Sequence, residues 1–327
     1  MKRRITQRTR ILIVGLAVAS FGLSACAATA PSATQSTDSG KLRVVYGVYD
    51  SKLGFAQAIV ESLEKAAKDS GVELTVLDNG GDAGKTVANA RTAATLKPDV
   101  FIESSPLTNN DQIVSIMKDA GVPLMSVQVP IPGVPIFTVD NPAAGKLSGE
   151  GLAKVSKERW PDTPPSTAMI LNSQQSGGDL TKALGVAVED AIVAAYPDIE
   201  VVQGDNKTDS NVAAQVTTSF LTSHPDGKLL LWTNLDQFAI AASNAAKTAG
   251  REDDILIAGY GGDPATVPFI KSGVMAGTLA LNPQLWGPEI LELAKKLAAG
   301  EKIPETTNPT SVQWVDESNV DTALPTQ

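Results

Sequence analysis

The chain of 327 residues has one cysteine, Cys26, and one histidine, His224. A single thiol cannot close an internal disulfide. With no cluster of Cys and His there is no transition-metal ligand set. Positive charge is also scarce: 27 bases stand against 36 acids, a formal net charge of -9. A chain of that sign has no electrostatic basis for holding nucleic acid. No apolar run is long enough to span a bilayer, because Ile11 to Gly22 covers only about a dozen residues where a spanning helix needs ~20. No nucleophile elbow, zinc-protease motif or Ser/His/Asp set is evident, so an enzyme is not expected.

What is present begins with the leader. Lys2, Arg3, Arg4, Arg8 and Arg10 precede the apolar run, and Leu23-Ser24-Ala25-Cys26 follows it. Basic residues, an apolar core and small residues at the exit make an export signal. Leu-Ser-Ala-Cys resembles the lipobox of bacterial lipoproteins. That resemblance implies removal of residues 1–25 and a lipid (palmitate among the acyl chains) on Cys26. Without its five leader cations the chain would keep 22 bases and a charge of about -14. Such a body would be repelled by an anionic membrane, so the lipid would be the attachment. The implied location is the outer face of a bacterial cytoplasmic membrane.

Residues 26–40 are rich in Ala, Ser, Thr and Gln and cannot bury enough apolar surface to order themselves. They read as a flexible tether. From Lys41 strands and amphipathic helices alternate. Arg43 to Val48, Glu73 to Leu77, Asp99 to Ile102 and Pro123 to Val127 have strand character. Phe55, Ile59 and Leu63 share one helix face, and Ala83 to Leu96 and Asp111 to Ala120 form two further helices. Val129 to Pro135 carries three prolines and can hardly be a central strand. Beyond it a strand at Ile136 to Val139 leads into Asp140-Asn141-Pro142, where a first crossing between lobes is expected, with Asp140 or Asn141 capping the next helix. The pattern then restarts and runs to a last strand at Ser311 to Val315. The fold class is therefore α/β: βαβ units around parallel sheets, in two lobes.

Gly80-Gly81-Asp82-Ala83-Gly84-Lys85-Thr86 stands between a strand and a helix. It falls short of a P-loop, since the required first glycine falls on Asn79. An exported protein also meets little ATP. His224, in Ser-His-Pro-Asp-Gly, reads as a turn residue. The informative positions are strand C-terminal ends, where open α/β sheets bind ligands. Asp50, Ser104, Gln128, Trp232, Asn234, Tyr260 and Asn282 lie there, with Phe55 opening the first helix. Hydroxyls, amides and carboxylates suit a polyhydroxylated ligand. Phe55, Trp232 and Trp286 are candidate stacking faces, although either Trp reads equally well as core.

Gly54-Phe55-Ala56, Asp140-Asn141-Pro142-Ala143-Ala144-Gly145, Leu221-Thr222-Ser223-His224-Pro225-Asp226 and Ile257-Ala258-Gly259-Tyr260-Gly261-Gly262 occur in this order. Together they resemble the ribose/galactose branch of the type I periplasmic-binding-protein-like solute receptors. The resemblance covers roughly Lys41 to Val320. It implies two Rossmann-like lobes joined by a three-strand hinge, residues 41–139 plus 283–310 and residues 140–282 plus 311–327. It also implies a small polar, sugar-like ligand, an ABC transporter permease as partner, no cofactor and no catalysis. A sensory receptor serving a membrane kinase or chemoreceptor shares every feature. An exported hydrolase lacks the catalytic set. The departures are specific: the family's sugar-binding Asp-Arg pair falls on Gln128 and Val129. Its second-lobe Arg falls on Lys182, and the Asp of its Gly-Phe-Asp-Gly segment on Gly261. Phe55 and Asn234 match.

Overall fold

The structure, a computed structural model, describes residues 40–105, 109–173 and 178–324, the side chains of residues 178–180 aside. The leader, Cys26 and all but Gly40 of the tether expected over residues 26–40 lie outside the described residues. In the first lobe β1 (Arg43–Val48), α1 (Gly54–Ser70), β2 (Glu73–Asp78), α2 (Ala83–Leu96), β3 (Val100–Ser104), α3 (Asn110–Ala120), β4 (Leu124–Val127) and β5 (Ile136–Phe137) follow in order. The second lobe continues with α4 (Asn141–Arg159), β6 (Thr167–Asn172), α5 (Gly178–Ala195), β7 (Glu200–Asp205), α6 (Ser210–Ser223), β8 (Leu229–Thr233) and α7 (Asp236–Thr248). It is completed by β9 (Ile255–Gly261), α8 (Val267–Lys271) and β10 (Met275–Ala280). Then come α9 (Trp286–Ala298), β11 (Thr306–Thr307), β12 (Gln313–Val315) and α10 (Val320–Ala323).

The inner strands are short apolar runs buried on both faces, as parallel sheets covered by helices require, while the edge strands β2 and β7 are half-exposed. All residues of β3, β6, β8 and β10 are buried. The first sheet has the order β11-β5-β4-β3-β1-β2 and the second β12-β10-β9-β8-β6-β7. Every pairing is parallel except that of β12 with β10. Since β5 and β11 belong to the first sheet and β6, β10 and β12 to the second, the chain crosses between lobes three times. The two-residue strands β5 and β11 are too short to carry a period, so β11 left no trace in the sequence pattern.

Helix α4 packs on α5 through glycine. A Cβ at Gly149 would come within 2.6 Å of the Val188 carbonyl oxygen and 2.7 Å of the Ala191 Cβ. The glycine-rich α4 can therefore approach its neighbour backbone to backbone. Asp140 caps α4 by accepting the Ala143 N–H at 3.0 Å, with Pro142 in its first turn as helix starts favour. A central apolar cluster joins Val44, Ile102 and Trp286 to Leu152 and Trp232. A second fills the outer side of the second lobe around Leu231 and Phe238. A third lies under α2 and α3 around Phe101 and Ile113. Among the described residues no helix is long and apolar enough to cross a membrane.

Candidate functional site

Parallel strands end on the same side of each sheet, so the loops after them converge. A pocket of about 600 Å³ opens between the lobes at this side. Gly54, Phe55, Ala58 and Glu61 of α1 form its wall on the first lobe. Pro283 and Gln284, just past the second crossing, form its back. Leu235, Asp236, Gln237, the segment from Tyr260 to Pro264 and Leu324 form its wall on the second lobe. The helix α1 enters with Phe55 on its first turn. That ring meets Trp286 edge-on, centroids 5.3 Å apart. Trp286 in turn donates to the Leu281 carbonyl at 3.0 Å and contacts Phe137 edge-on. Phe55 thus rests on a buried tryptophan anchored at a crossing.

Of the residues expected to bind ligand, Phe55 and Tyr260 line this pocket, and Asn282 lies directly behind it. Tyr260 is buried, and burial raises its phenol well above the ordinary tyrosine range. Asn282 is buried with φ +53°. Its amide donates to the Ser311 carbonyl at 2.9 Å and its oxygen accepts from Gln284 at 3.1 Å. Its contacts are therefore between crossings. Gln128, at the end of β4, also has positive φ, +68°. Its carbonyl accepts from the Thr138 hydroxyl at 3.3 Å. Both residues sit where the chain must turn sharply to leave a sheet.

The others are placed elsewhere. Asp50 accepts the Lys52 N–H at 3.0 Å and shapes the β1–α1 loop. Ser104 is buried at the end of β3. Trp232 and Trp286 are both fully buried, so neither presents a ring face for stacking. Strand β8 is central and covered on both sides, which turns Trp232 into the core. Lys182 is exposed on α5 and borders a separate depression with Glu189 and Gln203. It is not among the residues that line the interlobe pocket. Asn234 belongs to a polar network. Its oxygen accepts from Asn206 at 2.8 Å and its amide donates to Ser173 at 3.0 Å. Ser173 donates to Asn206 at 2.7 Å.

Two further carboxylates are buried, and of these Asp236 escaped the sequence reading. Asp236 takes the Gly262 and Asp263 N–H groups at 2.7 Å each and the Thr278 hydroxyl at 2.6 Å. It holds the loop after β9 against the pocket. Burial pushes its carboxyl up to about 6, against the lowering effect of those three donors. Gly259 and Gly261 leave the room it occupies. The pairing of Asp236 with two glycines after a strand is the signal that could have found it. Glu103, fully buried at the end of β3, accepts from Asn79 at 3.0 Å, and its other oxygen has no partner. Burial pushes it up to about 8, opposed by Asn79 and the Ser104 N–H. A Cβ at Gly47 would come within 2.6 Å of that free oxygen, so Gly47 makes its space.

The loop resembling a P-loop is occupied by its own side chains. Asp82 caps α2 by accepting the Lys85 N–H at 2.7 Å. The Lys85 ammonium lies 4.0 Å from Asp78. His224 closes α6, its Nδ1 2.9 Å from the Phe220 carbonyl and its ring against Phe220. Among the described residues no group of three or more His, Cys, Asp or Glu could hold a metal.

Two parallel-sheet lobes, three crossings and a pocket between the strand ends define a two-lobed binding protein. Residues 44–302 match the family described as periplasmic binding protein domain, and the chain belongs to that family. It is a family of extracytoplasmic binding proteins, not enzymes. The chain is 26% identical to the ribose import binding protein RbsB of Salmonella typhimurium strain LT2 over 256 residues, 76% of this chain and 82% of that one. Among solved structures, it resembles an ABC transporter periplasmic solute binding protein from Actinobacillus succinogenes with bound D-allose. The TM-score is 0.73 and the identity 21%, over 86% of this chain and 99% of that one. A Mycobacterium smegmatis protein in complex with β-D-fucofuranose aligns with TM-score 0.68 and 23% identity, over 87% and 94% of the two chains.

Proposed function

We propose that this protein is a lipid-anchored receptor that captures a small, polar, sugar-like solute between its lobes and delivers it to an ABC importer. The observation that carries the reading is the interlobe pocket, walled by α1 on one side and by the loops after β8 and β9 on the other. The lobes are taken as residues 41–139 plus 283–310 and residues 140–282 plus 311–327. A pocket walled by two bodies joined at three crossings can close by hinge motion. Closure converts binding into a shape a permease can recognise. The similarity to ribose import binding proteins supports a sugar as ligand. The lipid anchor is supported by Leu23-Ser24-Ala25-Cys26.

The contacts to ligand are proposed for Phe55, Tyr260 and the polar groups at the strand ends, Asp50, Ser104, Gln128, Asn234 and Asn282. The test is a thermal-shift screen of sugars, polyols and nucleosides, in which a ligand raises Tm by mass action. If amino acids or lipids respond while every sugar and polyol is silent, the sugar-like reading fails. Asn234→Ala is expected to weaken binding, and unchanged affinity removes Asn234 from the site. Mass spectrometry of the N-terminal peptide of membrane-associated protein is expected to find diacylglycerol on Cys26.

A further inference from the structure

The pocket between the lobes is oddly apolar for a receptor of a fully hydroxylated sugar. Phe55, Ala58, Leu235, Pro264, Pro283 and Leu324 all line it. Leu235 is 41% exposed and packs in none of the core clusters. It is also the N-cap of α7, with φ -152° and ψ 145°, and its side chain makes no capping bond. An N-cap strongly favours Ser, Thr, Asp or Asn, whose oxygen accepts from the first turn. The rule is kept by Asp82, Asp140 and Asp209, which cap α2, α4 and α6 with their side chains, and broken again at α9, which starts from Leu285, 53% exposed and without a capping bond. Next to the facing wall, which begins at Gly54, α1 starts the same way, from Leu53, 49% exposed and without a capping bond. A local rule broken with no compensating burial points to function.

The charges in the pocket narrow the ligand further. Its lining includes Glu61, Asp236 and Asp263, and no Lys, Arg or His. Asp236 is spent on three donors, and Asp263 on the Ala265 N–H at 2.8 Å. Nothing there would balance a ligand carboxylate or phosphate, so anionic sugars are disfavoured.

We infer that the interlobe pocket takes a neutral deoxy sugar and that Leu235, facing Phe55 across the cleft, is the residue that reads the missing hydroxyl. The inference rests on the solute-binding reading above and refines its ligand. A leucine offers no hydrogen bond to a hydroxyl, and covering one with it leaves that hydroxyl unsatisfied. Against a methyl or methylene edge the same leucine gains contact. A single group of this kind discriminates by ~10-fold to 200-fold.

The test is calorimetric titration of the purified full-length protein with matched pairs: D-fucose and D-galactose, L-rhamnose and L-mannose, 2-deoxy-D-ribose and D-ribose. At least one deoxy member is expected to bind about 10-fold tighter than its hydroxylated partner. Leu235→Asn is expected to bring that ratio to one or below, while raising Tm by restoring the helix cap. Leu235→Ala, which adds no polar group, is expected to weaken the deoxy member and leave its partner unchanged. Hydroxylated members binding as well as their partners in every pair would overturn the inference and leave the receptor reading standing. So would a ratio that both variants leave unchanged. Silence of all six sugars would overturn this inference too, and the receptor reading falls with it only if the wider screen of sugars and polyols is silent as well.

Discussion

Asn282 and Ser311 lie on different interlobe crossings and join them by hydrogen bonds that run both ways between the two segments. The Asn282 amide donates to the Ser311 carbonyl at 2.9 Å, and the Ser311 hydroxyl donates to the Leu281 carbonyl at 3.1 Å. Asn282 does this from a left-handed backbone, φ +53°, which Asn tolerates better than most residues. Two of the three crossings are thereby tied into one unit. Asn282→Ala removes the amide and strains the backbone, and a loss of about 2 kcal/mol is expected. Asn282→Gly keeps the backbone relaxed and should lose less. Urea unfolding of both variants checks the order; equal losses would mean the backbone conformation carries no cost.

Glu103 makes stability depend on pH with a definite sign. Its carboxyl is raised from 4.5 to about 8 in the folded protein. Between those values the folded state binds more protons than the unfolded one, so stability falls as pH rises. The contribution is full below the unfolded pKa and is lost as pH climbs through about 8, on the order of 5 kcal/mol at the limit. Glu103→Gln cannot titrate. The urea midpoint of the native protein minus that of the variant should therefore decline from pH 5.5 to pH 8.5. A constant difference would show that Glu103 is not buried as a proton-holding acid.

Asp236 anchors the pocket wall by three accepted hydrogen bonds, so truncating it leaves the Gly262 N–H, the Asp263 N–H and the Thr278 hydroxyl without their acceptor. Asp236→Ala is expected to cost about 3 kcal/mol and to loosen the loop after β9. Amide exchange at Gly262 and Asp263 should accelerate more than at sites on β3 in the other lobe. Uniform acceleration would assign the residue a global role instead.

Gly149 permits the contact between α4 and α5. Gly149→Ala places a methyl against the Val188 carbonyl and the Ala191 side chain, and overpacking of this kind costs about 2 kcal/mol. The exposed Gly300, where nothing lies within contact distance, is the control for crowding. Its φ of +76° makes its alanine variant report backbone strain alone. Thermal unfolding of the two variants separates the two costs.

Much of the site's surroundings was legible because it follows from local pattern. Residues 83–96 were expected to be a helix, and α2 occupies that span. Asp140 was expected as a cap and is one. Polar residues at strand ends pointed to the side on which the interlobe pocket opens, because parallel strands all end there. The assignment of roles was less legible. Trp232 and Tyr260 look alike in sequence, as aromatics near strand ends, yet one is core and the other lines the pocket. A side chain's face depends on which strand is central and what helix covers it, and neither is local.

The sequence by itself determined the alternation of strand and helix, the two-lobed plan and the excess of acids over bases, since periodicity, turn residues and composition act over a few residues at a time. Only the tertiary structure decided that Phe55 and Leu235 face one pocket, 180 positions apart in the chain. It alone decided that Lys182 stands outside that pocket and that Glu103 and Asp236 are buried. Proximity across lobes and desolvation arise from packing distant segments together, and no single segment records them.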